Sequence, residues 1–275
     1  MKISGGKLDK QSANFVASPN TSGEFSEDLP DTIVIHYTAG SSAESSVRTL
    51  TNSKIRASAH MVIGRDGSIV QLIPFDTIAW HAGESAWGDR RGLNKYAIGL
   101  ELDNAGRLTK SGEQFISWFG RSYPEQEVIK AVHRNEKKPS YWHRFSEEQI
   151  TKTYEICELL IDTYDIKSIL GHEEISPGRK SDPGPAFPLD KLRERLLHAD
   201  RSDQGEDEMA GVDNPGVVTA SMLNIRSGPK AGTQTIAEPL KKGTVVDIRD
   251  EENGWYWVDV KMSGWVSKDF IKKTS

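Results

Sequence analysis

An α/β domain with a central mixed β-sheet flanked by helices, followed by a small all-β barrel, is the fold class this sequence predicts, and three observations predict it. Between residues 29 and 198, short apolar β-branched runs alternate with stretches of helical periodicity, the pattern of a sheet covered by helices. Residues 199–215 then turn acidic and polar, with Asp200, Asp203, Glu206, Asp207 and Glu208 in a run, 200–208, that has no apolar positions to bury, which reads as a linker. Residues 216–275 hold five short strand-like runs separated by turns, the spacing of a small barrel.

Taken in order, residues 1–28 are rich in Ser, Gly, Asn and Asp without an apolar period, so an N-terminal arm is expected. Asp31 to His36 is a short apolar strand, and Ala39-Gly40-Ser41-Ser42 opens a helix through Val47 and Leu50. Ser58 to Pro74 predicts a hairpin around Asp66-Gly67, because that dipeptide tolerates the backbone of a tight turn. In Ala97 to Leu102 the alternation sets Gly99 and Glu101 opposite to Ile98, Leu100 and Leu102. Residues 104–145 mix aromatics with charges and show no period; loops and short elements are expected there.

Ser146 followed by Gln149 predicts a capping box opening a helix from Glu147 to Tyr164, with Ile150, Tyr154, Cys157, Leu160 and Ile161 on one face. Ile166 to Leu170 is a strand leading into a loop at His172, and Leu189 to Leu197 is a last helix. In the barrel segment the runs are 216–220, 223–226, 243–249, 255–261 and 264–267.

Composition excludes several classes. A net charge of −5 and a pI near 5.9 provide no basic field for nucleic acid, and no segment reaches the length of a membrane span. The single cysteine, Cys157, rules out an internal disulfide and a thiolate cluster, and its place in the helical pattern makes it a core residue. Any metal must therefore sit on His, Asp or Glu. The first ten residues carry positive charge with no apolar stretch behind them, so synthesis in the cytoplasm without a signal peptide is expected.

The segment Gly171 to Gly184 gathers His172, Lys180 and Asp182 among glycines and prolines that prevent regular structure, leaving polar side chains free to converge. His36 ends an apolar strand far upstream. Together His36, His172 and Asp182 propose a site for a cation such as zinc, which binds imidazole and carboxylate and in catalytic sites keeps one position open to water. Glu101 would accept that water's proton and Lys180 would stabilise an oxyanion, a set suited to amide hydrolysis. The same residues have ordinary readings too: a partly buried strand histidine, a turn aspartate before Pro183, a solvated lysine and a paired glutamate.

The motifs discriminate between these readings. His36 in IVIHYTAG, the SAHMVIGRDGSIVQLIP hairpin, WHAG at Trp80 to Gly83, IGLELDN at Ile98 to Asn104 and GHEEISPGRKSDPGP at Gly171 to Pro185 together resemble the zinc-dependent N-acetylmuramoyl-L-alanine amidases, the type related to phage lysozyme-like amidases and peptidoglycan recognition proteins. The resemblance runs from about Leu29 to Leu197. It implies that His36, His172 and Asp182 are zinc ligands, that Glu101 and Lys180 are catalytic, and that His60 and His81 border the substrate. His133, His143 and His198 match no motif. Ala59 precedes His60 where phage lysozyme-type members carry tyrosine, which shifts weight onto Glu101.

The run LNIRSGP at Leu223 to Pro229, with GWYWVDV at Gly254 to Val260 and GWVS at Gly264 to Ser267, resembles a bacterial SH3-like domain, implying attachment to the cell wall. Trp255, Trp257 and Trp265 are either packing residues of the barrel or platforms for ligand. The implied partner is peptidoglycan or a muropeptide, with neither nucleic acid nor membrane insertion. A wall-lytic endolysin or autolysin acting after release or export is the leading role; a cytoplasmic amidase recycling anhydromuropeptides and a non-catalytic peptidoglycan binder are the alternatives.

Overall fold

The apolar run Thr32–Tyr37 becomes an interior strand of a six-stranded mixed sheet in a computed structural model that describes residues 1–197, 214–220 and 222–260. Across the sheet the strands run Ser168–Gly171, Thr32–Tyr37, Ala97–Leu102, Met61–Ile63, Ile69–Gln71 and Asn14–Phe15. The first three and Met61–Ile63 are parallel neighbours, and Ile69–Gln71 returns antiparallel through the Asp66-Gly67 turn. Interior parallel strands are covered on both faces and so read as continuous apolar runs. Ile33, Val34 and Ile35 are fully buried accordingly, each contributing about 1.5–3 kcal/mol over an exposed position.

The Ala97–Leu102 strand has two different faces, and glycine is the reason. Ile98, Leu100 and Leu102 are fully buried, while on the opposite side Gly99 leaves space that a side chain would fill: an added Cβ would lie 2.3 Å from His81 Cγ. Glu101 then follows on the same side, in register with His36 of the neighbouring strand.

Helix Ala43–Leu50 is capped by Ser42, whose Oγ accepts from the Ser45 amide at 3.2 Å. Helix Glu147–Tyr164 is capped in the same way by Ser146, which accepts from the Gln149 amide at 3.1 Å. The box is only half formed. Gln149 is fully buried and its Nε2 donates instead to the carbonyls of Ile63 and Asp103 at 2.9 and 3.1 Å, locking the helix to the sheet. The buried stripe is correspondingly rotated from the expected one: Gln149, Thr153, Tyr154, Ile156, Cys157 and Leu160 are inside, with Ile150 and Ile161 half-buried. Helix Leu189–Leu197 forms where periodicity places it.

Two regions differ from expectation. Residues 1–28, expected as an arm, are folded onto the body, because local polar groups find fixed partners there. Asn14–Phe15 pairs in parallel with the sheet edge at Val70 and Gln71, and buried Asn20 donates to the Asn52 and Ala57 carbonyls at 3.1 and 3.0 Å. Residues 104–145 form a five-stranded antiparallel sheet in the order Ser122–Tyr123, Gln114–Ile116, Arg107–Ser111, Pro139–His143, Val128–Val132. These strands are two to five residues long, too short to display an alternation in sequence.

The chain divides into two compact units, Met1–Ala199 and Asp200–Ser275. In the second, Pro215–Val217, Val245–Glu252 and Trp255–Asp259 form an antiparallel sheet, and Met222–Leu223 pairs with Leu240–Lys241. Val218, Leu240 and Val246 are its buried core. Trp257 is 69% exposed and Trp255 half-buried. Most of the expected acidic linker, His198 and the expected strand 264–267 with Trp265 lie outside the described residues.

Candidate metal centre and active site

His36 reaches the site because the strand beneath it is anchored by three fully buried residues, and His172 reaches it because the neighbouring strand Ser168–Gly171 ends there and turns into the short helix His172–Ile175. Gly171 pairs with Ile35, one residue before His36. A side chain at Gly171 would press within 2.9 Å of Pro183 Cδ, so glycine allows the Asp182 loop to approach. That loop is held by the Glu173 amide, which donates to the Asp182 carbonyl at 2.8 Å, and by Tyr37 Oη, 2.8 Å from Ser181 Oγ.

The three side chains converge. His36 Nδ1 lies 2.9 Å from both His172 Nδ1 and Asp182 Oδ2, and His172 Nδ1 is 2.9 Å from the same oxygen. All three residues are buried, and they form the group of potential metal donors found among the described residues. His172 Nε2 faces the Ala82 carbonyl at 3.1 Å. A carbonyl only accepts, so that nitrogen carries the proton and a neutral ring turns a bare Nδ1 inward. Three lone-pair atoms this close repel unless positive charge lies among them. Protons are a poor source at neutral pH for His36, because burial and the neighbouring His172 lower its pKa to about 4. Burial would raise the Asp182 carboxyl, but the two imidazoles against it hold it below the usual carboxylate range. An ionised carboxylate with two imidazole nitrogens suits a divalent cation.

Glu101 lies in the same groove as these residues, a space of about 340 Å³ that Lys180, Arg179 and Ser181 also line. Its Oε2 is buried with no hydrogen-bond partner. Burial and the charge of Asp182 push its pKa up to about 8, against the opposing pull of Lys180. Lys180 itself is exposed, with its amide held by the Ser176 carbonyl at 3.0 Å. A second groove of about 340 Å³ adjoins, shares Glu101 and Thr38 as lining, and is walled by Trp118 and Phe119 of the 107–143 sheet.

Of the two histidines expected to border the substrate, His81 lines the groove that holds the three donors, whereas His60 does not. His60 is fully buried, its Nδ1 accepting from the Gly99 amide and its Nε2 donating to the Thr77 carbonyl, each at 2.9 Å, with Phe25 and Phe75 stacked on it. Both nitrogens thus serve the backbone. His81 turns inward: its Nδ1 is 3.0 Å from His36 Nε2 and its Nε2 is 2.9 Å from the Ala97 carbonyl.

Several supporting residues carry no signal of their own in the sequence. Arg179 donates to the Ala82 carbonyl at 3.0 Å, sharing that oxygen with His172. His133, which matches no motif, bonds Glu173 at 2.6 Å while Arg134 pairs with Glu173 and Glu174. The 107–143 sheet is thereby fastened to the helix that begins with His172. Glu173 lies inside the Gly171–Pro185 motif, but nothing in sequence pairs it with His133.

Residues 26–185 match the family described as N-acetylmuramoyl-L-alanine amidase, and residues 219–273 match the bacterial SH3 domain. The chain is 36% identical over 141 residues to the 1,6-anhydro-N-acetylmuramyl-L-alanine amidase AmpD of Escherichia coli, covering 50% of this chain and 58% of that protein. It is 31% identical over 176 residues to the N-acetylmuramoyl-L-alanine amidase AmiD of Escherichia coli, covering 61% of this chain and 53% of that protein. It thus spans little more than half the length of these two relatives. A crystal structure of a selenomethionine AmpD derivative superposes with a TM-score of 0.51 at 28% identity, over 70% of this chain and 98% of that one.

Proposed function

The chain belongs to the N-acetylmuramoyl-L-alanine amidase family, and from that premise we propose that it hydrolyses the amide between N-acetylmuramic acid and L-alanine in peptidoglycan or its fragments. One observation carries the reading: the converging Nδ1 atoms of His36 and His172 and Oδ2 of Asp182 share a groove with the unpartnered carboxylate oxygen of Glu101 and with Lys180. Zinc is the ion assigned to the three donors, since two imidazoles and one carboxylate suit it and leave room for a further ligand. Bound there, it supplies polarisation of the scissile carbonyl and acidification of water.

The side chains do the rest. Glu101, with its pKa raised to about 8, exchanges a proton near neutral pH, taking one from the attacking water and returning it to the leaving amine. Lys180, exposed at the groove edge, brings an ammonium to the developing oxyanion. The similarity to a 1,6-anhydro-N-acetylmuramyl-L-alanine amidase supports a muropeptide ligand, and the match to a bacterial SH3 domain supports action on the cell wall, after release or export.

Mass spectrometry of products from intact sacculi and from anhydromuropeptides tests this. The zinc-loaded chain is expected to release stem peptides beginning with L-alanine, and Glu101→Ala to keep its zinc while releasing none. Release by Glu101→Ala at the wild-type rate overturns the role of Glu101; no release by the wild type from either substrate overturns the reading.

A further inference from the structure

We infer that His81 is a positioning residue that dictates which nitrogen of His36 faces the metal, relaying to that ligand the polarity of the Ala97 carbonyl. The inference rests on the metal-site reading above. Each step follows from what a group can donate. The Ala97 carbonyl oxygen can only accept, so His81 Nε2, 2.9 Å away, carries the proton. A neutral His81 then has a bare Nδ1, which at 3.0 Å from His36 Nε2 can only accept. His36 must therefore carry its proton on Nε2 and present a bare Nδ1 to His172 and Asp182.

The two imidazole ligands thus solve one problem in two ways. His172 reaches its carbonyl, that of Ala82, directly at 3.1 Å. For His36 the hydrogen-bond partner at Nε2 is an imidazole, and an imidazole accepts as readily as it donates, so it is informative only when its own far nitrogen is fixed. The Ala97 carbonyl fixes it. Outer partners of this kind set ligand orientation and tautomer and raise ligand basicity.

The surroundings hold His81 in that role. Its amide and that of Ala82 both donate to Asn94 Oδ1, at 3.0 and 2.7 Å. Gly99 has no side chain, and any Cβ there would overlap the imidazole at 2.3 Å. The ring meets His36 edge-on, with centroids 5.1 Å apart and planes at 80°. His36 and His60 are the rings packed against it, with the His60 centroid 5.9 Å away.

Zinc affinity, measured by competition with a chromophoric chelator, tests the inference apart from catalysis. His81→Phe keeps a ring of similar shape but neither hydrogen bond, and is expected to weaken zinc binding about 10–100-fold. His81→Gln offers an acceptor to His36 and a donor to Ala97 and is expected to stay within about threefold of wild type, a rescue that a merely space-filling role would not give. Unchanged affinity in His81→Phe, or equal loss in both variants, overturns the inference. A second measurement needs no variant: long-range ¹⁵N–¹H spectra of the zinc-loaded wild type should show both His81 and His36 protonated on Nε2, and a proton on His81 Nδ1 overturns the relay. Failure of the wild type to cleave muropeptides would sink the proposed function while leaving this affinity result standing.

Discussion

His36, His172 and Asp182 on the floor of the groove are 1%, 3% and 7% exposed, whereas at the rim Lys180 is exposed, and Trp118, which walls the adjoining groove, is 77% exposed. The floor is a closed set of hydrogen bonds ending on backbone carbonyls and amides: Ala82 and Ala97 fix the imidazoles, and the Glu173 amide fixes the aspartate loop. The rim is tied more sparsely, as where Trp118 Nε1 donates to the Ala39 carbonyl at 2.7 Å. Converging lone pairs need positions set to fractions of an ångström, which strands and buried partners provide. Substrate contact needs accessible faces, which loops on short strands provide. Damage to the floor should therefore reach metal and fold, and damage to the rim only substrate handling.

The strongest break is Asp182→Ala. It removes one of three donors and the negative charge among them, so zinc retention should fall by more than the roughly 100-fold that loss of an outer partner can cost. Metal analysis after desalting measures it, and stoichiometric zinc in the variant would contradict the assignment of Asp182.

Glu101 stands between floor and rim, and pH separates its two aspects. Its folded pKa of about 8 exceeds the ordinary 4.5, so the folded metal-free protein binds a proton that the unfolded chain releases. Stability from this group is complete below pH 4.5 and is lost as pH rises through about 8, at no more than about 1.4 kcal/mol per pH unit. Glu101→Gln cannot ionise and should lack that decline. Denaturant midpoints of both proteins in chelator, taken from pH 5 to 9, should diverge in favour of the variant; parallel curves would count against the buried, partnerless carboxyl.

Gly99→Ala probes the floor one layer deeper. Its Cβ would meet His81 at 2.3 Å, and overpacking of this kind costs about 1–3 kcal/mol. Urea denaturation should show that loss together with weaker zinc binding. A stability loss with zinc affinity intact would show that the His81 pocket can relax without disturbing His36.

Trp118→Ala should have the smallest effect. With the ring so exposed, folding stability should move by less than about 0.5 kcal/mol, while KM for a muropeptide should rise up to about tenfold if the indole stacks on substrate, an aromatic contact of roughly 0.5–1.5 kcal/mol. Steady-state kinetics would report it. A fall in kcat with unchanged KM would place Trp118 with the floor rather than the rim.

Legibility follows the same division. The strands Thr32–Tyr37 and Ala97–Leu102 and the helices Glu147–Tyr164 and Leu189–Leu197 lie where their apolar periods predict, because each covers enough residues for a period to show. The donors His36, His172 and Asp182 were readable from motifs, since a turn-rich loop and a strand end are recognisable locally. The sheet at 107–143 was not, its strands being too short, and residues 1–28 were not, because their order comes from partners such as Leu50, Asn52 and Ala57 far along the chain. His60 and His81 sat in motifs that marked them as important without telling structure from substrate contact.

By itself the sequence determined the alternation of strands and helices and the residue types of the candidate metal centre, because both are written in local pattern and spacing. Only the tertiary structure decided that His60 serves the backbone, that His81 stands behind His36, that Gln149 leaves its cap to hold the sheet, and that His133 fastens a second sheet to the His172 helix. The reason is physical. A histidine's role depends on what each ring nitrogen faces, and those partners come from residues that only folding brings within 3 Å, such as Ala97 for His81 and Gly99 for His60.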